Sequence, residues 1–197
     1  MKIKTYILVL FIALTFSMCN KVKKEKLPAT VNATSTEKKE DHPALSPADS
    51  LKLINHTIKV SGEVEFPLEI TVDSLKKMKV TTLDNFKVVC QTGETKKEDK
   101  SCKGVLLKDI LEKAKIIQNG HKDRNFYIVA RASDDYMATF SWAEIFNNPT
   151  GENVYVLFEE NGKPVKRGEM ILVCKNDIKT GPRHVYWLKS IEVYKVK

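Results

Sequence analysis

The sequence predicts an α+β domain built mostly from short strands, with a few short helices and a tether ahead of it. Three observations predict it. Apolar runs at period two recur from residue 57 to the C-terminus, bounded by Gly, Pro, Asn or Asp. Helical periodicity is confined to brief stretches, so no regular strand–helix alternation develops. Residues 20–50 hold Lys, Glu, Thr, Ser, Ala and Pro with almost no large apolar side chain, too little to offset the entropy of ordering. The chain has 197 residues, 42% hydrophobic and 29% charged, which suffices for one core.

The start, Met1-Lys2-Ile3-Lys4, is basic, and the apolar run from Tyr6 to Phe16 is too short to span a bilayer. That pattern is an export signal. Cys19 follows the run directly, which resembles a bacterial lipoprotein signal whose cysteine receives the lipid. Ordinary secretion with an incidental thiol is the alternative. The expected organisation is therefore a signal over 1–18, a flexible tether over 19–50 and a folded domain over 51–197. The expected location is periplasmic or elsewhere in the cell envelope, with a lipid anchor at Cys19 holding the chain to a membrane.

The domain's elements follow in order. Thr57–Ser61 alternates as a strand, Gly62 and Pro67 bracket a turn, and Leu68–Ile70 is a second strand. Asp73 is placed to cap a helix over Ser74–Met78. Phe86–Cys90 reads as a buried strand and is followed by a charged loop. Val105–Ala114 is an amphipathic helix, with Leu106, Leu107, Ile110 and Leu111 on one face. Strands follow at Phe126–Arg131 and Tyr136–Phe140, joined by a turn in which Asp135 tolerates a positive φ. Trp142–Phe146 is a helical turn closed by Asn147-Asn148-Pro149. Val154–Phe158, Met170–Cys174 and Val185–Tyr194 complete the sheet.

Net charge is +8, but the lysines are spread and interleaved with acidic residues. No basic stripe with aromatic interleaving is present, and export removes the chain from nucleic acid. There is no GxGxxG or P-loop spacing, no nucleophile elbow, and no CxxC or HExxH cluster. Histidines 42, 56, 121 and 184 are scattered.

A series of ordered signatures remains: IKVSGEVEFPLEITVDSLKKM at 58–78, VVCQTGE at 88–94, KGVLLKDILEKAKI at 103–116, ASDDYMATFSWAEIF at 132–146, VYVLFEENGKPVKRGEMILVCKND at 154–177 and RHVYWLKSIEVY at 183–194. Together they resemble the oxidoreductase molybdopterin-binding domain, the fold of the sulfite oxidase family. The resemblance implies that Cys90 is the thiolate ligand to molybdenum and the catalytic centre. It implies a molybdopterin cofactor and oxygen-atom transfer or reduction of an oxidised substrate. A soft thiolate at a rigid strand end suits a metal already bound by the pterin's dithiolene sulfurs. Arg131, Arg167, Arg183 and His184 are candidates to hold the cofactor's phosphate or a small anionic substrate, with Arg183 and His184 favoured because they lie in a matching segment. No haem or flavin motif is present, so the resemblance also implies a separate redox partner.

Cysteine arithmetic leaves an alternative open. With Cys19 acylated, Cys90, Cys102 and Cys174 remain, and one disulfide leaves one thiol over. Cys102 can pair with Cys90 across an eleven-residue loop, which stabilises by roughly 3 kcal/mol in the chain-entropy model and consumes the ligand. It can instead pair with Cys174 and leave Cys90 free. Gln91-Thr92-Gly93-Glu94 contains no arginine, nor does any residue upstream of Cys90. The alternative function is thus a cofactor-free binding or scaffold module that keeps the fold, with Cys90 in a structural disulfide.

Overall fold

Residues 46–197 are described by a computed structural model. The signal, Cys19, His42 and nearly all of the tether lie outside the described residues. The first element, helix α1 (Pro47–Lys52), begins inside the stretch assigned to the tether. Ser46 caps it by accepting from the Asp49 N–H at 3.1 Å, and a proline opens it.

Strands β1 (Ile58–Gly62) and β2 (Leu68–Ile70) and helix α2 (Val72–Lys76) come next. Thr71 caps α2, rather than Asp73. Thr71 Oγ1 accepts from the Ser74 N–H and Ser74 Oγ accepts from the Thr71 N–H, a reciprocal box that Asp73, one residue inside the first turn, is not positioned to make. The chain continues through β3 (Thr81–Val89), β4 (Thr95–Leu106), α3 (Leu107–Ala114), β5 (Phe126–Ala132), β6 (Met137–Ser141) and α4 (Trp142–Phe146). It closes with β7 (Val154–Glu160), β8 (Lys163–Pro164), β9 (Ile171–Cys174) and β10 (Leu188–Lys195).

These strands make two sheets instead of the one expected. The first has the order β2-β1-β10-β5-β6, with β10 in the middle and β1 parallel to it. The second has the order β3-β4-β7-β8, and β9 also pairs with β7. The run read as one strand over 185–194 is broken: Val185 only bridges Leu172, Trp187 has φ 45°, and β10 begins at Leu188. Asp135 has φ 67° in its turn.

The largest departure from the sequence reading is β4. The charged loop expected after Cys90 is a tight turn followed by the twelve-residue strand TKKEDKSCKGVL. Its local composition is poor for a strand, but β3 and β7 supply partners on both sides. Lys87 faces Glu98 across the β3–β4 ladder, and Lys103 faces Glu159 across β4–β7. Gly104 permits the closest approach, since a Cβ there would lie 2.4 Å from Val156 O.

The main core lies between the inner face of the first sheet, α3, α4 and one face of the second sheet. β7 alternates across that second sheet, with Val154, Val156 and Phe158 in the main core and Tyr155 and Leu157 in a smaller cluster on the other face. Leu83, Phe86, Val88, Cys102 and Val173 also belong to the smaller cluster, and Tyr186 packs against it. That second face carries the candidate site.

Candidate functional site

Cys90 stands one residue past the end of β3, as the first residue of a turn. Its N–H donates to Glu94 O and its carbonyl accepts from the Gly93 N–H, both at 2.9 Å, and Gly93 takes φ 91° to close the reversal. The turn is clamped from a distant segment. Thr180 Oγ1 donates to Lys87 O at 2.6 Å and accepts from the Val89 N–H at 2.9 Å, occupying the outer edge of β3 as a strand would. Gly181 packs so closely that a Cβ would come within 2.9 Å of Val89 O and 3.3 Å of Cys90 Cα. Cys90 Sγ is partly exposed and lies 2.8 Å from Thr92 Oγ1, a contact that holds its pKa below that of an ordinary thiol.

Val88, two residues before Cys90, forms one wall of a cleft of about 320 Å³. Lys96, Lys97, Glu160, Lys166, Arg167 and Tyr186 form the rest. Lys97 is committed to Asp99 and Glu160, which are almost wholly buried. Lys96 pairs with Glu94 and stands close enough to Cys90 to favour its thiolate. Lys166 and Arg167 have no carboxylate partner among the described residues, and the Arg167 guanidinium lies 4.9 Å over the Tyr186 ring. The open side of the cleft is therefore cationic.

His184 sits behind this wall, 4% exposed, stacked on Tyr186 at 4.2 Å and tilted against Phe86. Neither ring nitrogen has a hydrogen-bond partner, and burial beside Lys97 and Arg167 drives its pKa down to about 3. Arg183, its neighbour, turns the other way. The guanidinium binds both oxygens of Asp177, donates to Glu144 at 2.9 Å and covers the Phe140 ring. It is a structural tie between the 175–183 segment and α4 and is not offered to a ligand. Arg131 is likewise held by Glu192 on the first sheet. Of the four cations singled out in the sequence, Arg167 reaches the open cleft.

All three cysteines in the described region are free thiols, and register shows why neither expected pairing forms. Cys102 opposes Leu83, at the far end of β3 from Cys90, roughly 20 Å away at the rise of a strand. Cys102 and Cys174 oppose Glu160 and Val154, at opposite ends of β7, again roughly 20 Å apart and on opposite faces of the sheet. A disulfide spans less than 7 Å between Cα atoms. Burial pushes the Cys102 and Cys174 pKa values up to about 12, so Cys90 is the one nucleophilic thiol among them.

Lys96, Lys97, Lys166, Tyr186 and Thr180 were not singled out in the sequence. Lys96 and Lys97 were masked by reading β4 as a loop. Tyr186 carried a usable signal, since it sits two residues from His184 in an apolar run.

The fold is a two-sheet α+β domain with a partly exposed thiol at the end of β3 and a cationic cleft on its second sheet. The family model for the oxidoreductase molybdopterin-binding domain matches residues 45–197, and the chain belongs to that family. No curated protein matches. Among solved structures, the sulfane dehydrogenase SoxCD from Paracoccus pantotrophus aligns with TM-score 0.49 and 17% identity, over 71% of this chain and 38% of that one.

The residues present fit the family's cofactor in two respects. Cys90 is an accessible thiol of lowered pKa on a clamped strand end, and Lys166 and Arg167 present unpaired positive charge in a cleft that Lys96, a neighbour of Cys90, also lines. Arg183 does not contribute, and His184 is enclosed by Phe86 and Tyr186.

Proposed function

We propose that this domain is an exported molybdopterin-binding oxidoreductase, tethered to a membrane through a lipid on Cys19, in which Cys90 is the protein's ligand to molybdenum. The single observation that supports the reading is the placement of Cys90. The one thiol of lowered pKa sits just past the clamped end of β3, and Lys96, whose charge favours its thiolate, also lines the cleft whose free charges are Lys166 and Arg167. When bound, the cofactor supplies oxygen-atom transfer or reduction of an oxidised substrate. Thr92 holds the sulfur by its hydroxyl, Thr180 and Gly181 fix the turn that carries it, and Lys166 and Arg167 attract and orient an anionic group. Tyr186 closes the floor of the cleft against the small cluster. Electrons pass to or from a separate redox partner.

The test is the molybdenum content of the full chain made in a host that synthesises and exports the cofactor. Near-stoichiometric metal, lost in Cys90→Ser with little change in melting temperature, supports the reading; metal-free protein, or metal retained in Cys90→Ser, sinks it. A second reading, a cofactor-free binding module, is favoured by Arg183, whose guanidinium is committed to Asp177 and Glu144. It predicts no metal together with a Cys90 thiol that alkylates freely in the same preparation.

A further inference from the structure

The segment Lys175–Thr180 is held at almost every residue. The Lys175 N–H donates to Asn153 O at 2.8 Å, Asp177 is bound by Arg183, Lys179 Nζ donates to Gln91 O, and Thr180 is locked onto β3. Yet the residue at its apex, Ile178, is 92% exposed, well beyond any other large apolar side chain among the described residues. A lone surface isoleucine on a mobile loop needs no account. One displayed at the tip of a fixed loop is a pre-organised anchor, because docking it costs little further ordering entropy.

Its surroundings state the charge of what it meets. Lys175 and Lys179 flank Ile178 and have no carboxylate partner among the described residues, while the intervening Asp177 is turned onto Arg183, which it shares with Glu144. The adjoining groove is lined by Lys175, Thr180, the Arg183-bound Asp177 and Lys87, whose own partner is Glu98. Tyr136, 43% exposed, is tied by its hydroxyl to Pro182 O at the far end of the same loop. An apolar centre with a cationic rim suits an acidic protein surface bearing an apolar recess. An anionic membrane offers the same charge, but one isoleucine and two lysines bind it only marginally. The loop also lies against the Cys90 turn, through Lys179 and Gln91, where a protein that exchanges electrons has to come.

We propose that the loop carrying Lys175, Ile178 and Lys179 is the docking surface for a small acidic electron-carrier protein. The choice of an electron carrier rests on the function proposed above; the contact itself does not need molybdenum. Interfaces of this kind are small and weak. The experiment titrates the full chain carrying Cys19→Ser with an acidic c-type cytochrome as the probe, at low and high salt, with and without bound molybdenum. The expected result is saturable, salt-sensitive association in both metal states. It weakens about tenfold in Ile178→Asp and in the Lys175→Glu/Lys179→Glu double variant, and is unchanged in Lys59→Glu on the first sheet. Absence of association, or association indifferent to these variants, overturns the proposal. So does binding to phosphatidylglycerol vesicles with the same variant dependence and none to the cytochrome, which makes the loop a membrane contact. Because association is read without turnover, failure of the cofactor assignment leaves this result intact.

Discussion

The Cys90 sulfur and the Thr92 hydroxyl lie 2.8 Å apart across a turn whose backbone bonds fix both residues. The hydroxyl donates to the sulfur when the thiol ionises, so the contact favours the thiolate. Thr92→Val keeps the shape of the side chain and removes the donor. The alkylation rate of Cys90 by iodoacetamide, followed against pH, should move to higher pH in this variant and fall severalfold at neutrality. An unchanged profile shows that the hydroxyl faces elsewhere.

Thiol counting separates the three cysteines. In Cys19→Ala protein, one thiol should react with Ellman's reagent in the folded state and two more only on unfolding, since burial pushes Cys102 and Cys174 up to about 12. Reductant should leave the melting temperature unchanged. Cys102→Ala removes one buried sulfur from the small cluster and should cost about 1 kcal/mol, far below the loss of a disulfide.

His184 makes stability fall in mild acid. Its folded pKa is driven down to about 3, so between its ordinary value near 6.5 and that value the unfolded chain binds a proton that the folded chain refuses. Stability is therefore full above pH 6.5 and declines as pH drops, by roughly 2 kcal/mol at pH 5. His184→Phe keeps the stack on Tyr186 and should flatten urea midpoints between pH 7.5 and 5. A wild-type midpoint that does not move over that range contradicts the burial of the ring.

Lys97 is the counter-ion of two carboxylates with almost no exposure, Asp99 and Glu160. Lys97→Met leaves both without their cation and should destabilise the fold by about 3 kcal/mol in urea denaturation. Adding Asp99→Asn should recover part of that loss, because Asn161 still reaches the side chain.

Thr180→Val tests the clamp on β3. The swap is close in shape but abandons the Lys87 carbonyl and the Val89 N–H, at a cost of about 2 kcal/mol. The variant should also speed proteolysis within 88–94, since the turn loses its far support.

The fold class and most strand positions could be read from alternation, because β1, β5, β6 and β7 bury one or both faces in regular register. β4 could not, because its residues are polar and its strand form comes from partners far along the chain. The division into two sheets was hidden for a related reason: Trp187, with its positive φ, breaks what reads as one apolar strand. At the site, Cys90 was visible as a strand-end cysteine. The commitment of Arg183 to Asp177 and Glu144 was not, since Glu144 lies 39 positions away and reaches it only once α4 is packed.

The middle strand of the first sheet is β10, the last element of the chain, lying between β1 and β5. A protein whose central strand is synthesised last cannot fold piece by piece as it emerges. β1 and β5 have no shared partner until residues 188–195 arrive, so the main core stays open until then. Thr180 and Gly181 belong to the same final quarter, so the turn that presents Cys90 is also set late.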